Sequence, residues 1–179
     1  MCSISWPYET ARVLTAAANL LSDYGNAKAP SPLTSTEYMT LLLQYIKQHT
    51  ATTAVNDTAH PLGSGHVFEN LHADLGYWNN RAIMYWADKP SKNQGDDYNH
   101  STLIDLILSG LFGIRPQTGR TLLVNPLTPK VWAGWAVEHV HCKGRSVGVK
   151  WSQESGLEVF VDGEVAGRRA DLGPLTVEL

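Results

Sequence analysis

The hydrophobic period of the chain changes close to residue 116. Before this point, apolar residues such as Val13, Leu14 and Leu21 recur at helical spacing. After it, apolar residues alternate with polar ones, and Gly and Asp punctuate the short apolar runs. The predicted strands cover residues 122–124, 136–140, 146–151, 157–161 and 175–179. The pattern therefore predicts an α+β chain with a helical part over residues 1–116 and an antiparallel β-domain, typical of a small sandwich, over residues 117–179.

Three helices are predicted in the first part. Pro7 suits the first turn of one helix, and Gly25 ends it. The second begins at residues 34–35. The third covers residues 101–112, and because it is apolar on nearly all sides we expect it to be buried. Asp105 lies inside this third helix and would then need a polar partner.

Composition limits the possible functions. The chain has 43% hydrophobic and 17% charged residues and a net charge of -3. It is therefore globular, and neither nucleic acid nor an anionic membrane is favoured as its main partner. Cys2 and Cys142 belong to no paired motif, which disfavours a zinc site or a disulfide framework. No leader-like start and no apolar run of about 18 residues is visible, so a cytoplasmic location is favoured.

A long polar stretch separates the second and third helices. Residues 50–99 follow no regular period, and such a stretch in a compact domain usually carries function. Within it, Glu69 stands among aromatic, Asn and His residues. Taken alone, Glu69 could simply be a solvated loop carboxylate. His66 and His72 are six residues apart, a spacing that favours ordinary polar loop residues over metal ligands.

Several motifs occur together in one order along the chain, and as a set they resemble a known family. They are Ser5-Trp6-Pro7-Tyr8-Glu9-Thr10, Phe68-Glu69-Asn70, Gly76-Tyr77-Trp78, Asp97-Tyr98-Asn99-His100-Ser101-Thr102, Gly113-Ile114-Arg115-Pro116 and Val124-Asn125-Pro126-Leu127. The set resembles the C-terminal end of (α/α)6-barrel glycosidases of the mannosylglycerate-hydrolase-like type, which are related to trehalases and processing α-glucosidases. The resemblance covers about residues 3–165. The block from Asp97 to Pro116 is its most specific part.

The resemblance implies a fold and a mechanism. The fold would be a partial (α/α)6 barrel of six-hairpin glycosidase-like helices, followed by a small antiparallel β-sandwich. The mechanism would be inverting, with two carboxylates about 6.5–9.5 Å apart across the sugar. Glu69 matches the family's general base, although Leu71 stands where the family has an aromatic residue. The family's general acid lies earlier in its chain and has no counterpart here, so the resemblance implies a fragment.

The resemblance also implies a substrate pocket around Glu69. The residues that would contact the sugar are Trp6, Tyr8, Asn70, Trp78, Tyr98 and His100. From the sequence alone, Trp6 is equally compatible with a core position at the start of the helix. Glu9 fits a helix N-terminal carboxylate better than a catalyst. The chemistry requires no cofactor and no metal.

Two functional hypotheses follow. In the first, the chain is a glycoside hydrolase or a portion of one, with Glu69 as general base. If the chain is truncated, this hypothesis predicts little or no turnover, although an acid from Asp57, Asp74, Asp97 or a neighbouring subunit could rescue catalysis. In the second, it is a non-catalytic carbohydrate-binding or assembly module derived from a glycosidase. Either would present exposed helix flanks, which homo-oligomerisation could cover.

Overall fold

The computed structural model describes residues 4–24, 33–50, 71–72, 88 and 101–179. Contacts between Cα atoms divide the chain into two compact units. The first unit comprises Met1–Ala16 and Thr40–Ile104, and the second comprises Ala17–Met39 and Asp105–Leu179. The predicted boundary at residue 116 stays a prediction.

Two long helices occur where the sequence predicts them. Helix α1 spans Pro7–Tyr24 and ends just before Gly25, and helix α2 spans Ser35–Thr50. At the start of α2, Thr34 and Glu37 form a capping box. The Glu37 carboxylate accepts hydrogen bonds from the Thr34 amide (2.7 Å) and hydroxyl (2.8 Å), and the Glu37 amide donates to the Thr34 hydroxyl (3.2 Å). These bonds satisfy donors that a helix start would otherwise leave unpaired.

The first unit contains a short antiparallel ladder. Strand β1 spans Ile4–Ser5 and strand β2 spans Leu71–His72. Ile4 pairs with His72, and Ser5 pairs with Leu71. The ladder joins the segment before α1 to a segment far along the chain.

The second unit contains two antiparallel sheets with seven strands in total. The first sheet has the order β3-β4-β9, with strands Ile114–Pro116, Thr121–Val124 and Leu175–Glu178. The second has the order β5-β6-β7-β8, with strands Gly134–Cys142, Arg145–Ser152, Gly156–Val161 and Glu164–Arg169. The five strands predicted from period two are confirmed, and β3 and β8 are additional.

The two sheets share one apolar core. Leu122 and Val124 of β4 and Val147 and Val149 of β6 are fully buried within a single cluster. The antiparallel sandwich predicted for this part of the chain is therefore present. The hairpin predicted at Asp162-Gly163 is also confirmed. Both residues have positive φ, 51° and 90°, as the tight turn between β7 and β8 requires.

The third helix departs from its prediction. Helix α3 spans only Ser101–Asp105 and continues as a π-helical segment over Leu106–Leu111. The Phe112 amide donates to the Ile107 carbonyl at 2.9 Å, the spacing of a π turn. Ile104 is 54% exposed and Asp105 is exposed, so the predictions of an all-round buried helix and a buried Asp105 are wrong. The wider winding changes which side chains face the core.

The predicted fold class, a partial (α/α)6 barrel followed by a sandwich, is wrong. The described residues contain three helices, and the largest core belongs to the two sheets. The physical reason lies in the apolar run after residue 105. Leu108 and Phe112 pack against the sheet core, so this run lines a β-sandwich where a barrel would pack it against further helices.

Candidate functional site

The start of α1 lies beside the strand that follows Glu69 and Asn70 in the sequence. Ser5 pairs with Leu71 in the β1–β2 ladder, and neighbouring strands lie about 4.8 Å apart. Trp6 comes directly after Ser5, and Asn70 comes directly before Leu71. The ladder therefore brings together two of the segments that the sequence assigns to one site.

The backbone at the start of α1 is held by hydrogen bonds. The Trp6 carbonyl accepts from the Thr10 amide at 3.1 Å and from the Thr10 hydroxyl at 3.2 Å. The Tyr45 hydroxyl donates to the Pro7 carbonyl at 2.9 Å, and burial raises the pKa of Tyr45 to about 12. Trp6 itself is half exposed. Trp6 is therefore a surface residue, and its ring is accessible to a ligand.

The first turn of α1 also presents Tyr8, Glu9 and Arg12. Tyr8 is exposed, and the Arg12 guanidinium lies 5.8 Å from the centre of its ring. Arg12 also pairs with Glu9 at 3.2 Å. Because both charged groups are exposed, the pair contributes at most about 1 kcal/mol. Glu9 has the structural role that the sequence favours for it, a carboxylate in the first helical turn.

The remaining predicted site residues lie outside the described residues, and their roles stay predictions. They are Glu69, Asn70, Trp78, Tyr98 and His100. The same holds for the possible replacement acids Asp57, Asp74 and Asp97.

Two further features concern the described part of the chain only. Within it, no group of three or more His, Cys, Asp or Glu side chains could hold a metal ion. None of the helices in these ranges is long and apolar enough to cross a membrane.

An open groove lies on the outer face of the four-stranded sheet. Its volume is about 220 Å³. We call it the outer-sheet groove, and it is lined by Glu138, His139, Ser146, Gly148, Lys150, Phe160 and Gly163. The sequence gives no sign of it, because its residues come from three strands and a turn and form no motif.

Charged and aromatic groups meet in the outer-sheet groove. Lys150 Nζ lies 2.8 Å from a Glu138 carboxylate oxygen and 5.5 Å from the centre of the Phe160 ring. The hydrogen bond from Lys150 lowers the pKa of Glu138, and the same bond raises the pKa of Lys150. Both groups are therefore charged at neutral pH, and the groove contains one positive and one negative side chain.

Comparisons with known proteins give one informative similarity. No protein-family model matches the sequence, and no curated protein matches it. A solved structure named "Sialidase" superposes on 98% of this chain with a TM-score of 0.75 and 27% sequence identity. The chain spans 15% of the length of that structure's chain. The similarity supports the observed fold and gives no support to an (α/α)6 barrel.

Proposed function

We propose that the chain is part of a glycoside hydrolase that cleaves an α-glycosidic bond with inversion, and that Glu69 is its general base. The observation that carries this proposal is the pairing of Ser5 with Leu71. Glu69 precedes Leu71 by two residues in the sequence. Trp6 is one residue from the same ladder on the opposite strand.

An exposed indole suits a sugar site. The apolar C–H face of a pyranose can stack on Trp6, whose side chain is half exposed. A carboxylate at the edge of such a platform can take a proton from water as that water attacks the anomeric carbon. In this proposal Trp6 binds the ring and Glu69 activates the water.

A second carboxylic acid must protonate the leaving oxygen. In an inverting enzyme it lies about 6.5–9.5 Å from the base. Asp57, Asp74, Asp97 or a neighbouring subunit would supply it. The solved structure that this chain resembles is named "Sialidase". This chain matches 15% of the length of that one.

Substrates whose leaving group needs no protonation test the general base independently of the general acid. Fluoride leaves a glycosyl fluoride without protonation, so hydrolysis requires only the base and the water. We expect the chain to hydrolyse α-glycosyl fluorides of one or more common hexoses, and Glu69→Gln to lower the rate at least about 100-fold. The assay also includes substrates that need an acid: glucosyl- and mannosyl-glycerate, α-linked disaccharides and an aryl sialoside. Turnover of these substrates as well would mean that the chain or its oligomer supplies an acid.

The matched control is Glu154→Gln, which removes an exposed carboxylate from the turn before β7. This control should hydrolyse the fluorides at the wild-type rate. Equal rates for Glu69→Gln and wild type would contradict the assignment of the base. Failure of the wild type on every α-glycosyl fluoride would contradict the proposal that this chain holds a working base.

A non-catalytic carbohydrate-binding module is the second candidate. The observation that favours it is the exposure of two aromatic side chains, Trp6 and Tyr8, at one helix start. Both can contact sugar without any carboxylate chemistry. This candidate predicts saccharide binding that is unchanged in Glu69→Gln, together with no hydrolysis of the fluorides.

A further inference from the structure

We propose that the outer-sheet groove is a binding site for a single neutral hexopyranose ring. The site lies in the second unit and includes none of the residues of the Glu69 proposal. Its lining combines the Phe160 ring with polar side chains, and two of these come from a local irregularity of β5.

An absent side chain opens the groove. Gly148 of β6 is the direct cross-strand partner of Phe160 of β7. A Cβ atom at Gly148 would lie 3.6 Å from the Phe160 Cβ, within ordinary contact distance. Glycine is therefore not required there by crowding. Its effect is to leave the flank of the Phe160 ring uncovered, where most residues would pack against the aromatic neighbour.

A β-bulge turns polar side chains toward this opening. Val137 pairs with Val149 and Val140 pairs with Val147, so Glu138 and His139 of β5 together oppose Gly148. His139 has a φ of 59°, in the left-handed region that non-glycine residues rarely occupy. Bulges of this kind re-aim side chains, and backbone strain is often found at binding sites. Here the bulge adds a carboxylate and an imidazole to the groove.

The hydrogen-bonding groups that line the groove suit the hydroxyls of a neutral polyol better than they suit an ion. Glu138 accepts hydrogen bonds, Lys150 donates them, and Ser146 and His139 can do either. The charges of Glu138 and Lys150 cancel within one ion pair of 2.8 Å. A free anion would have to compete with Glu138 for Lys150, whereas vicinal hydroxyls can bond to both partners of the pair.

The size of the groove limits the ligand to one ring. A water molecule occupies about 30 Å³ in the liquid, so a groove of about 220 Å³ holds roughly seven. Pockets for larger ligands begin at about 300 Å³. A methyl hexopyranoside has roughly thirteen non-hydrogen atoms, which corresponds to a dissociation constant on the order of millimolar.

Amide chemical shifts of the full chain test the site. Methyl α-glucopyranoside, methyl α-mannopyranoside and methyl α-galactopyranoside are titrated, with inorganic phosphate and N-acetylneuraminic acid as anionic probes. We expect at least one neutral glycoside to give saturable shifts at Ser146, Gly148 and Phe160. These shifts should be unaffected by salt.

Variants locate the binding. Gly148→Leu would fill the groove without backbone strain and should abolish the shifts. The matched control Ala170→Leu adds the same side chain at an exposed position just after β8 and should retain them. His139→Asn tolerates the same backbone conformation and should weaken binding roughly three- to tenfold through lost hydrogen bonds.

Three outcomes would overturn the inference. They are no saturable shift with any neutral glycoside, unchanged binding by Gly148→Leu, and binding of the anionic probes alone. Because Glu69→Gln leaves the groove intact, it should not alter these titrations. Failure here is therefore distinguishable from failure of the proposed hydrolase.

Discussion

The contact between Gly110 and Tyr38 gives a quantitative test of how the π-helical segment packs. A Cβ at Gly110 would lie 2.3 Å from the Tyr38 hydroxyl oxygen and 3.4 Å from its Cζ. Tyr38 is fully buried, its hydroxyl lies 3.5 Å from the Leu106 carbonyl oxygen, and burial raises its pKa to about 12. Because the phenol is enclosed, it has little room to move away from an added methyl group.

We therefore expect Gly110→Ala to destabilise the protein. Alanine at a helical position would otherwise stabilise by up to about 1 kcal/mol. Because the added methyl group would clash with an enclosed hydroxyl, we expect an overpacking cost in the upper part of the range, about 2–3 kcal/mol, and a net loss of about 1–2 kcal/mol. Tyr38→Phe removes the hydroxyl and should cost about 1 kcal/mol by itself. In the double variant the added methyl group has more room because the hydroxyl is absent. The double variant should therefore lose less free energy of unfolding than the sum of the two single variants, by about 1 kcal/mol or more.

Urea unfolding followed by circular dichroism and Trp fluorescence measures these free energies. Gly119→Ala is an instructive control because nothing lies within 4 Å of its Cβ and its φ is 65°. The free-energy cost of Gly119→Ala comes only from the backbone conformation, so Tyr38→Phe should not reduce it. Additive losses for Gly110→Ala and Tyr38→Phe would refute the steric reasoning.

Three further predictions concern the helix starts. Thr34→Ala removes one partner of the capping box and should lower the free energy of unfolding by about 1 kcal/mol in thermal or urea unfolding. The side-chain and backbone hydrogen bonds from Thr34 lower the pKa of Glu37, so the stabilisation by Glu37 should be present above pH 4.5 and disappear as the pH falls through its folded pKa. Unfolding of wild type and Glu37→Gln from pH 7 to 3 checks this sign, and a difference that grows at low pH would contradict it. Trp6→Ala should weaken saccharide binding at the Glu69 site roughly two- to tenfold, whereas Tyr24→Ala, at an exposed aromatic residue at the opposite end of α1, should not.

The alternating pattern predicts the sheets well wherever one strand face is buried. Val147, Val149 and Val159 lie in the core as their spacing predicts. In the second unit, the two strands that the pattern misses lack this signal. Strand β3 has three residues, ends in Pro116 and lies at a sheet edge, where proline is tolerated. Strand β8 is also an edge strand, and its side chains are almost all exposed, so no alternation marks it.

The helical part shows why periodicity alone misleads about fold class. The run after Ser101 is apolar enough to suggest a buried helix of a barrel. Its π winding from Leu106 onward cannot be predicted from a period of 3.6, and this winding sets which residues meet the sheets. The outer-sheet groove could not be predicted either, because the bulge at His139 contains no glycine or proline that would indicate it in the sequence. For the Glu69 site, the sequence predicts the residues. The β1–β2 register adds the pairing of Ser5, which precedes Trp6, with Leu71.

The configuration of the first-formed sugar tests the central proposal most directly. Proton NMR of an α-glycosyl fluoride digest resolves the anomer that is released before mutarotation. The account predicts the β-anomer from the wild-type chain and no enzymatic release from Glu69→Gln. Release of the α-anomer, or the same release from both proteins, would contradict an inverting hydrolase with Glu69 as its base.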